Sequence, residues 1–154
     1  MINNIAIAEK EKKQYIVVKI GSEQYGIDIR YIDNIVRMQK ITRVPRAQTY
    51  FKGIINLRGE VVPVMSIRLK MGLADDQFTN SSRIIILKIE QQGSIGVIVD
   101  EVREVVTLAP EEIDKFTPDT KDDRGDFING IGKNAGQLIS LLEINSIIEE
   151  KDAI

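Results

Sequence analysis

The stretch FKGIINLRGEVVPVMSIR, Phe51 to Arg68, decides the fold. Two apolar arms flank one polar tip: Ile54, Ile55 and Leu57 lead in, and Val61, Val62, Val64 and Met65 lead out. β-Branched residues dominate both arms, which suits pleated, half-buried strands. Between the arms stand Arg58 and Gly59. Glycine accepts the positive φ that a tight hairpin tip demands, and the arginine beside it is expected in solvent. Pro63 cannot donate to a ladder, so the second arm is expected to be an edge strand or to carry a bulge.

Working outward, Tyr15 to Ile20 and Tyr25 to Asp28 read as two strands joined by a turn at Gly21 to Gln24. Ile29, Ile32, Ile35 and Val36 then fall at helical spacing, with Asp28 as cap. Val36 to Val44 reads as a strand stopped by Pro45, and Ala47 to Tyr50 as a connector. Ile67 to Met71 makes one helical turn ended by Gly72, and the polar Leu73 to Ser82 is a linker. The second half opens alike. Ile84 to Ile89 and Ile95 to Val99 are strands around Gln91-Gln92-Gly93, and Glu104 to Leu108 continues extended. Pro110 to Phe116 is a helical turn with proline at its start. Thr117 to Asp126 is a polar loop. Phe127 to Gly132 and Gln137 to Leu142 form a last hairpin before a short helix from Ile144 to Ile148.

The two halves superimpose as sequence. A shift of 77 residues carries Gly53-Ile54 onto Gly130-Ile131, Gly59-Glu60 onto Gly136-Gln137, and Val62, Val64 and Ile67 onto Ile139, Leu141 and Ile144. A shift of 70 carries Gly26 onto Gly96, and Ile29, Ile32, Ile35 and Val36 onto Val99, Val102, Val105 and Val106. The seven extra residues of the second half are assigned to the loop around Lys121 to Asp126. This is an internal duplication. Each half offers about five short strands, which suits a small barrel. About 70 residues is little for an independent core, so the two barrels are expected to share one. Residues 1–13, ending in a run of Glu and Lys, read as a flexible tail. The domain spans 14–148, with barrel halves 14–72 and 83–148, and 149–154 form a C-terminal tail.

The pattern Gly53-x-x-Asn56-Leu57-Arg58-Gly59, followed by Pro63-Val64 and Arg68, resembles the signature of the CheW family of chemotaxis coupling proteins. Ser66 stands where that family commonly shows an acidic residue. The resemblance covers about residues 14–148 and implies an all-β fold with short helices: two tandem five-stranded SH3-like barrels packed together. It implies a non-catalytic adaptor coupling chemoreceptors to the histidine kinase CheA in bacterial chemotaxis arrays. It also implies partner contacts at Arg58, Leu57, Gly59 and Val44, and a groove between the barrels that takes a receptor tip. Within the apolar sets that otherwise read as core, Ile32 and Val105, with Ile84 and Gly96 nearby, are the groove candidates. Arg58 matches Ala135 in the second hairpin, so the turn does not need arginine for its geometry. A planar guanidinium suits a carboxylate or carbonyl on a partner.

Composition narrows the alternatives. The 154 residues hold no Cys and no His, 43% are hydrophobic, 29% are charged, and the net charge is −2. Disulfides, thiolate nucleophiles, zinc-thiolate sites and the usual general base are thereby excluded, and no cofactor is expected. An enzyme would need a carboxylate pair, Lys or Ser, and no such constellation is found. A nucleic-acid-binding barrel would need a basic, aromatic-bearing face, against which the acidic pI of about 5.3 and few aromatics weigh. Gly130 to Gly136 superficially resembles a phosphate loop, but a strand-type run follows it, which makes it a hairpin turn. Asp119, Asp122, Asp123 and Asp126 lack the ligand spacing of a calcium loop, and Arg124-Gly125-Asp126 is read as chance. No signal peptide or membrane span is read. A cytoplasmic protein, recruited to arrays at the inner face of the membrane and not inserted in it, is the expectation. The runner-up is a CheW-like regulatory or coupling domain serving another kinase pathway. The chain carries no ATP-site motif, no receiver and no phosphorylatable His.

Overall fold

The computed structural model describes residues 11–90, 93–115 and 127–149. The expected tail up to residue 10, the Gln91-Gln92 turn, the loop 117–126 with its acidic run and its seven extra residues, and residues 150–154 lie outside the described residues.

The strands are β1 (Lys13–Ile20), β2 (Glu23–Asp28), β3 (Ile32–Arg37), β4 (Phe51–Leu57), β5 (Glu60–Ser66), β6 (Arg83–Ile89), β7 (Gly93–Val99), β8 (Glu101–Leu108), β9 (Ile113–Lys115), β10 (Ile128–Asn134) and β11 (Gln137–Leu142). Two short helices, α1 (Ile67–Lys70) and α2 (Ile144–Ile148), follow the hairpins. Ser66 caps α1: its hydroxyl accepts from the Leu69 amide at 3.1 Å. The all-β class with short helices is as expected.

The strands form two sheets, ordered β8-β1-β2-β11-β10-β9 and β3-β6-β7-β5-β4. The duplication is visible strand by strand. Hairpins β4-β5 and β10-β11 each carry a register shift, between Phe51 and Gly53 in one and Ile128 and Gly130 in the other, 77 residues apart. The parallel pairs correspond too: Val64 faces Gly96, and Leu141 faces Gly26.

The sheets do not follow the halves 14–72 and 83–148, which corrects that division. Each sheet holds the opening hairpin of the other repeat. β6-β7 lie between β3 and β5, with β4 beyond β5, while β1-β2 lie between β8 and β11. Glycines permit the close approach in this pairing. An added Cβ on Gly96 would stand 2.8 Å from Ile84 Cγ2 and 3.4 Å from Val64 Cγ2, and one on Gly26 would stand 2.8 Å from Leu141 Cδ2. Each bare glycine lets the hairpin of one repeat close over the apolar strand of the other.

Alternation sorts the apolar runs into three cores. Ile84, Ile86 and Ile98 meet Ile55, Val62 and Val64 inside one barrel, and Val17, Val106, Leu108, Ile139 and Leu141 fill the other. The intervening Val18, Ile20 and Ile27 of one sheet pack with Ile85, Leu87, Val97 and Val99 of the other, together with Ile144 and Ile147 of α2. This last cluster is the expected shared core. Runs such as Ile84 to Leu87 are buried throughout because both faces of the strand are covered.

Three element assignments are corrected. Residues 29–36 form a single 3-10 turn, Ile29–Tyr31, and then strand β3. The helical spacing arose from a bulge: Ile32 faces Leu87 and Asn34 faces Ile86, so Asp33 is skipped. Three positions in sequence thus become two in register, and Ile32 and Ile35 reach the same core. Beyond Arg37 there is no strand to Val44, only a bridge from Thr42 to Ile54 with two 2.8 Å hydrogen bonds. The helical turn from Pro110 stops at Glu112, after which β9 pairs with β10. Pro63 is not on an edge strand either, since β5 lies between β4 and β7. It faces Ile54, and the parallel pairing to β7 begins one residue later at Val64, so no ladder bond is lost.

Candidate protein-binding surface

The β4-β5 tip is a two-residue loop closed by the Leu57–Glu60 pair. Both loop residues have positive φ, 54° at Arg58 and 84° at Gly59. This is the turn whose twist matches the flanking strands, and Asn-Gly is its preferred sequence. The repeat-related tip does the same, with 49° at Ala135 and 78° at Gly136. Asn56 braces the first tip: its Oδ1 accepts from the Gly59 amide at 3.1 Å. Gly53 is required for another reason. At φ 140° an added Cβ would stand 2.2 Å from the Thr42 carbonyl oxygen, so a side chain there would drive off the strand-like bridge. The motif residues Gly53, Asn56 and Gly59 thus build the hairpin.

Arg58 does not. It is exposed, and its guanidinium makes no hydrogen bond or ion pair among the described residues. An arginine at positive φ is disfavoured over asparagine or glycine, so folding alone gives no reason for it. Leu57 is half-buried against the barrel core, and Gly59 is exposed beside Arg58. Val44 is exposed at 37%, but the structure does not bring it to the tip. Thr42 pairs antiparallel with Ile54, so the chain from Thr42 to Val44 runs toward Lys52, the other end of β4.

The groove candidates separate. Ile84 is fully buried and Gly96 is buried inside one barrel, packed on each other. Neither offers surface to a partner, which corrects their placement in an open groove. Ile32 is half-buried against the shared core. Val105 is 55% exposed on β8, opposite Ile16.

Arg68, the last residue of the motif, has no role legible in the sequence. It is the centre of a clamp. Its Nε and Nη2 donate to Asp100 at 3.2 and 2.5 Å, and Asp100 Oδ2 also accepts from the Gly21 amide at 2.7 Å. Arg68 sits on α1 after β5, Asp100 follows β7, and Gly21 is the β1-β2 turn, so the clamp joins the two sheets. Burial alone would push the Asp100 carboxyl up, but the Arg68 guanidinium and the Gly21 amide outweigh it and hold it below its usual range. The partner lies 32 residues away in sequence, so no local signal announced it.

The linker from Leu73 is tied down at its start. Lys52 Nζ donates to Asp75 at 2.7 Å, and the buried Ser66 hydroxyl donates to Asp76 Oδ2 at 2.5 Å. Burial pushes the Asp76 carboxyl up against the opposing Ser66 bond. Among the described residues, no group of acidic side chains is arranged to hold a metal, and no helix is long and apolar enough to cross a membrane.

The family model of the CheW-like domain matches residues 14–152. The chain is 31% identical over 144 residues to the chemotaxis protein CheW of Bacillus subtilis, covering 94% of this chain and 92% of that one. It is 33% identical over 141 residues to the chemotaxis protein CheW of Helicobacter pylori, covering 92% and 84%. Its structure is similar to the crystal structure of the scaffolding protein TtCheW from Thermoanaerobacter tengcongensis, with a TM-score of 0.82 and 32% identity, covering 90% of this chain and 94% of that one.

Proposed function

This chain belongs to the CheW-like family, and from that premise we propose that it is a chemotaxis coupling adaptor that holds chemoreceptors and the histidine kinase CheA together by binding alone. It works at receptor arrays on the inner face of the membrane, and Arg58 is an anchor of one of its partner contacts. The observation that carries this reading is the tip. An arginine occupies an unfavourable positive φ where its repeat equivalent is Ala135, and its five donors remain free. A fixed donor fork on a rigid hairpin can bind carboxylates or carbonyls bidentately with little ordering cost. With no His or Cys in the chain, the coupling rests on contacts that differ between receptor states.

The test measures binding and melting on one preparation. Arg58→Ala is expected to leave folding stability within about 0.5 kcal/mol. It is expected to weaken binding to the CheA regulatory domain or to a receptor-tip fragment by about 2 kcal/mol, roughly thirtyfold. Lys should restore it only in part. Equal binding of both partners by wild type and Arg58→Ala would remove the tip from the function.

A further inference from the structure

We propose that a groove at the far end of β4 from Arg58 is a second docking site, and that it takes an acidic amphipathic segment of a partner protein. This goes beyond the tip contact and stands on separate residues.

Two hollows meet at Arg46. One, of about 740 Å³, is floored by Phe51, Met65 and Ile95, and the other, of about 440 Å³, lies along 43–49. Both are walled by Arg46 and Phe51. The floor opens onto the shared core, to which Met65 and Ile95 belong. Arg43 and Arg46 put two cations on the rim, and the stretch of chain that carries them is cationic throughout. From Asn34 to Gly59 the sequence holds Arg37, Lys40, Arg43, Arg46, Lys52 and Arg58 and no acidic residue, in a chain whose net charge is −2. Lys52 is paired with Asp75. Arg37, Lys40, Arg43 and Arg46 are exposed and form no hydrogen bond or ion pair among the described residues. Among the described residues, Glu149 is the carboxylate lining these hollows, and it is not bonded to Arg46.

Arg46 carries a second mark. Its φ is 63°, a conformation that favours glycine or asparagine. Like Arg58, it holds a free guanidinium on backbone better suited to another residue. An apolar floor beside guanidinium forks matches a segment that presents apolar side chains on one face and carboxylates at its edge. The seven residues of β4, Phe51 to Leu57, separate this groove from the tip by about 20 Å, six steps at roughly 3.3 Å each. Two partners could therefore be held at once, which an adaptor needs.

The test uses the full chain, isotope-labelled, and as probe a 15-residue capped helical peptide of Leu, Ala and Glu with one apolar face. Amide shifts are expected at Arg46, Ala47, Phe51 and Ile95. Arg46→Gly is expected to weaken the peptide at least tenfold without lowering Tm, because glycine suits φ 63°. Arg58→Ala should leave peptide affinity unchanged, so failure at the tip and failure here are distinguishable. A peptide with Lys in place of Glu should not bind. The proposal is overturned if the acidic peptide does not bind at millimolar concentration, if its shifts map elsewhere, if Arg46→Gly binds it as wild type does, or if the basic peptide binds equally.

Discussion

Arg68→Ala should loosen the join between the two sheets. The substitution removes two hydrogen bonds from a guanidinium whose side chain is 19% exposed to a carboxylate that is 26% exposed, and a long 3.4 Å bond from Nη1 to the Ala74 carbonyl. Hydrogen bonds to charged groups contribute about 1.5–3 kcal/mol. Both act on one carboxylate that keeps the Gly21 amide and some water, so the expected loss is about 2 kcal/mol rather than the sum. For a chain of this size that is a fall in Tm of about 4–8 °C. Thermal melting of wild type, Arg68→Ala, Asp100→Ala and the double variant should give a coupling of about 1–2 kcal/mol. The pH dependence adds a signature. The Asp100 carboxyl is held below its ordinary 3.8, so its contribution is present above that value and is lost as pH falls through the folded value. The Tm gap between wild type and Arg68→Ala should therefore narrow on acidification from about pH 6 to about pH 3. A gap under about 1 °C at pH 6, or additive single effects, would refute the clamp.

Asp76 should behave in the opposite sense. Its carboxyl is raised by burial, so its contribution is present at low pH and lost as pH rises through the folded value. Asp76→Asn is expected to raise Tm near neutrality and to lose that advantage in acid, as melting across pH would show. Arg58→Asn supplies the preferred tip sequence and should stabilise by about 0.5–1 kcal/mol while partner binding falls; a lower Tm would contradict the strain reading. Residues 1–76 alone should not fold. They lack the β6-β7 hairpin from one sheet and β8 to β11 from the other, and a cooperative melt with dispersed amide signals from that fragment would count against the exchanged pairing.

The sequence by itself determined the hairpins, the duplication and the tip. Each is a local matter: β-branched arms, a glycine where φ must be positive, and equal spacing between related glycines. It was also enough to single out Arg58, because Ala135 at the equivalent tip shows that the turn tolerates other residues. The tertiary structure decided which hairpin joins which sheet. Two similar repeats can pair within themselves or across; the exchange is a contact between distant segments, and Gly26 and Gly96 permit its close approach. It also decided that Ile29 to Val36 is mostly strand, since a bulge at Asp33 gives three-residue spacing the look of a helix. Ile84 and Gly96 looked like surface candidates until the second face of their strands was covered. Arg68 and Asp100 were both legible as charges, but their clamp exists only because the two sheets bring α1 and the β1-β2 turn together, a contact between distant segments that no local pattern encodes.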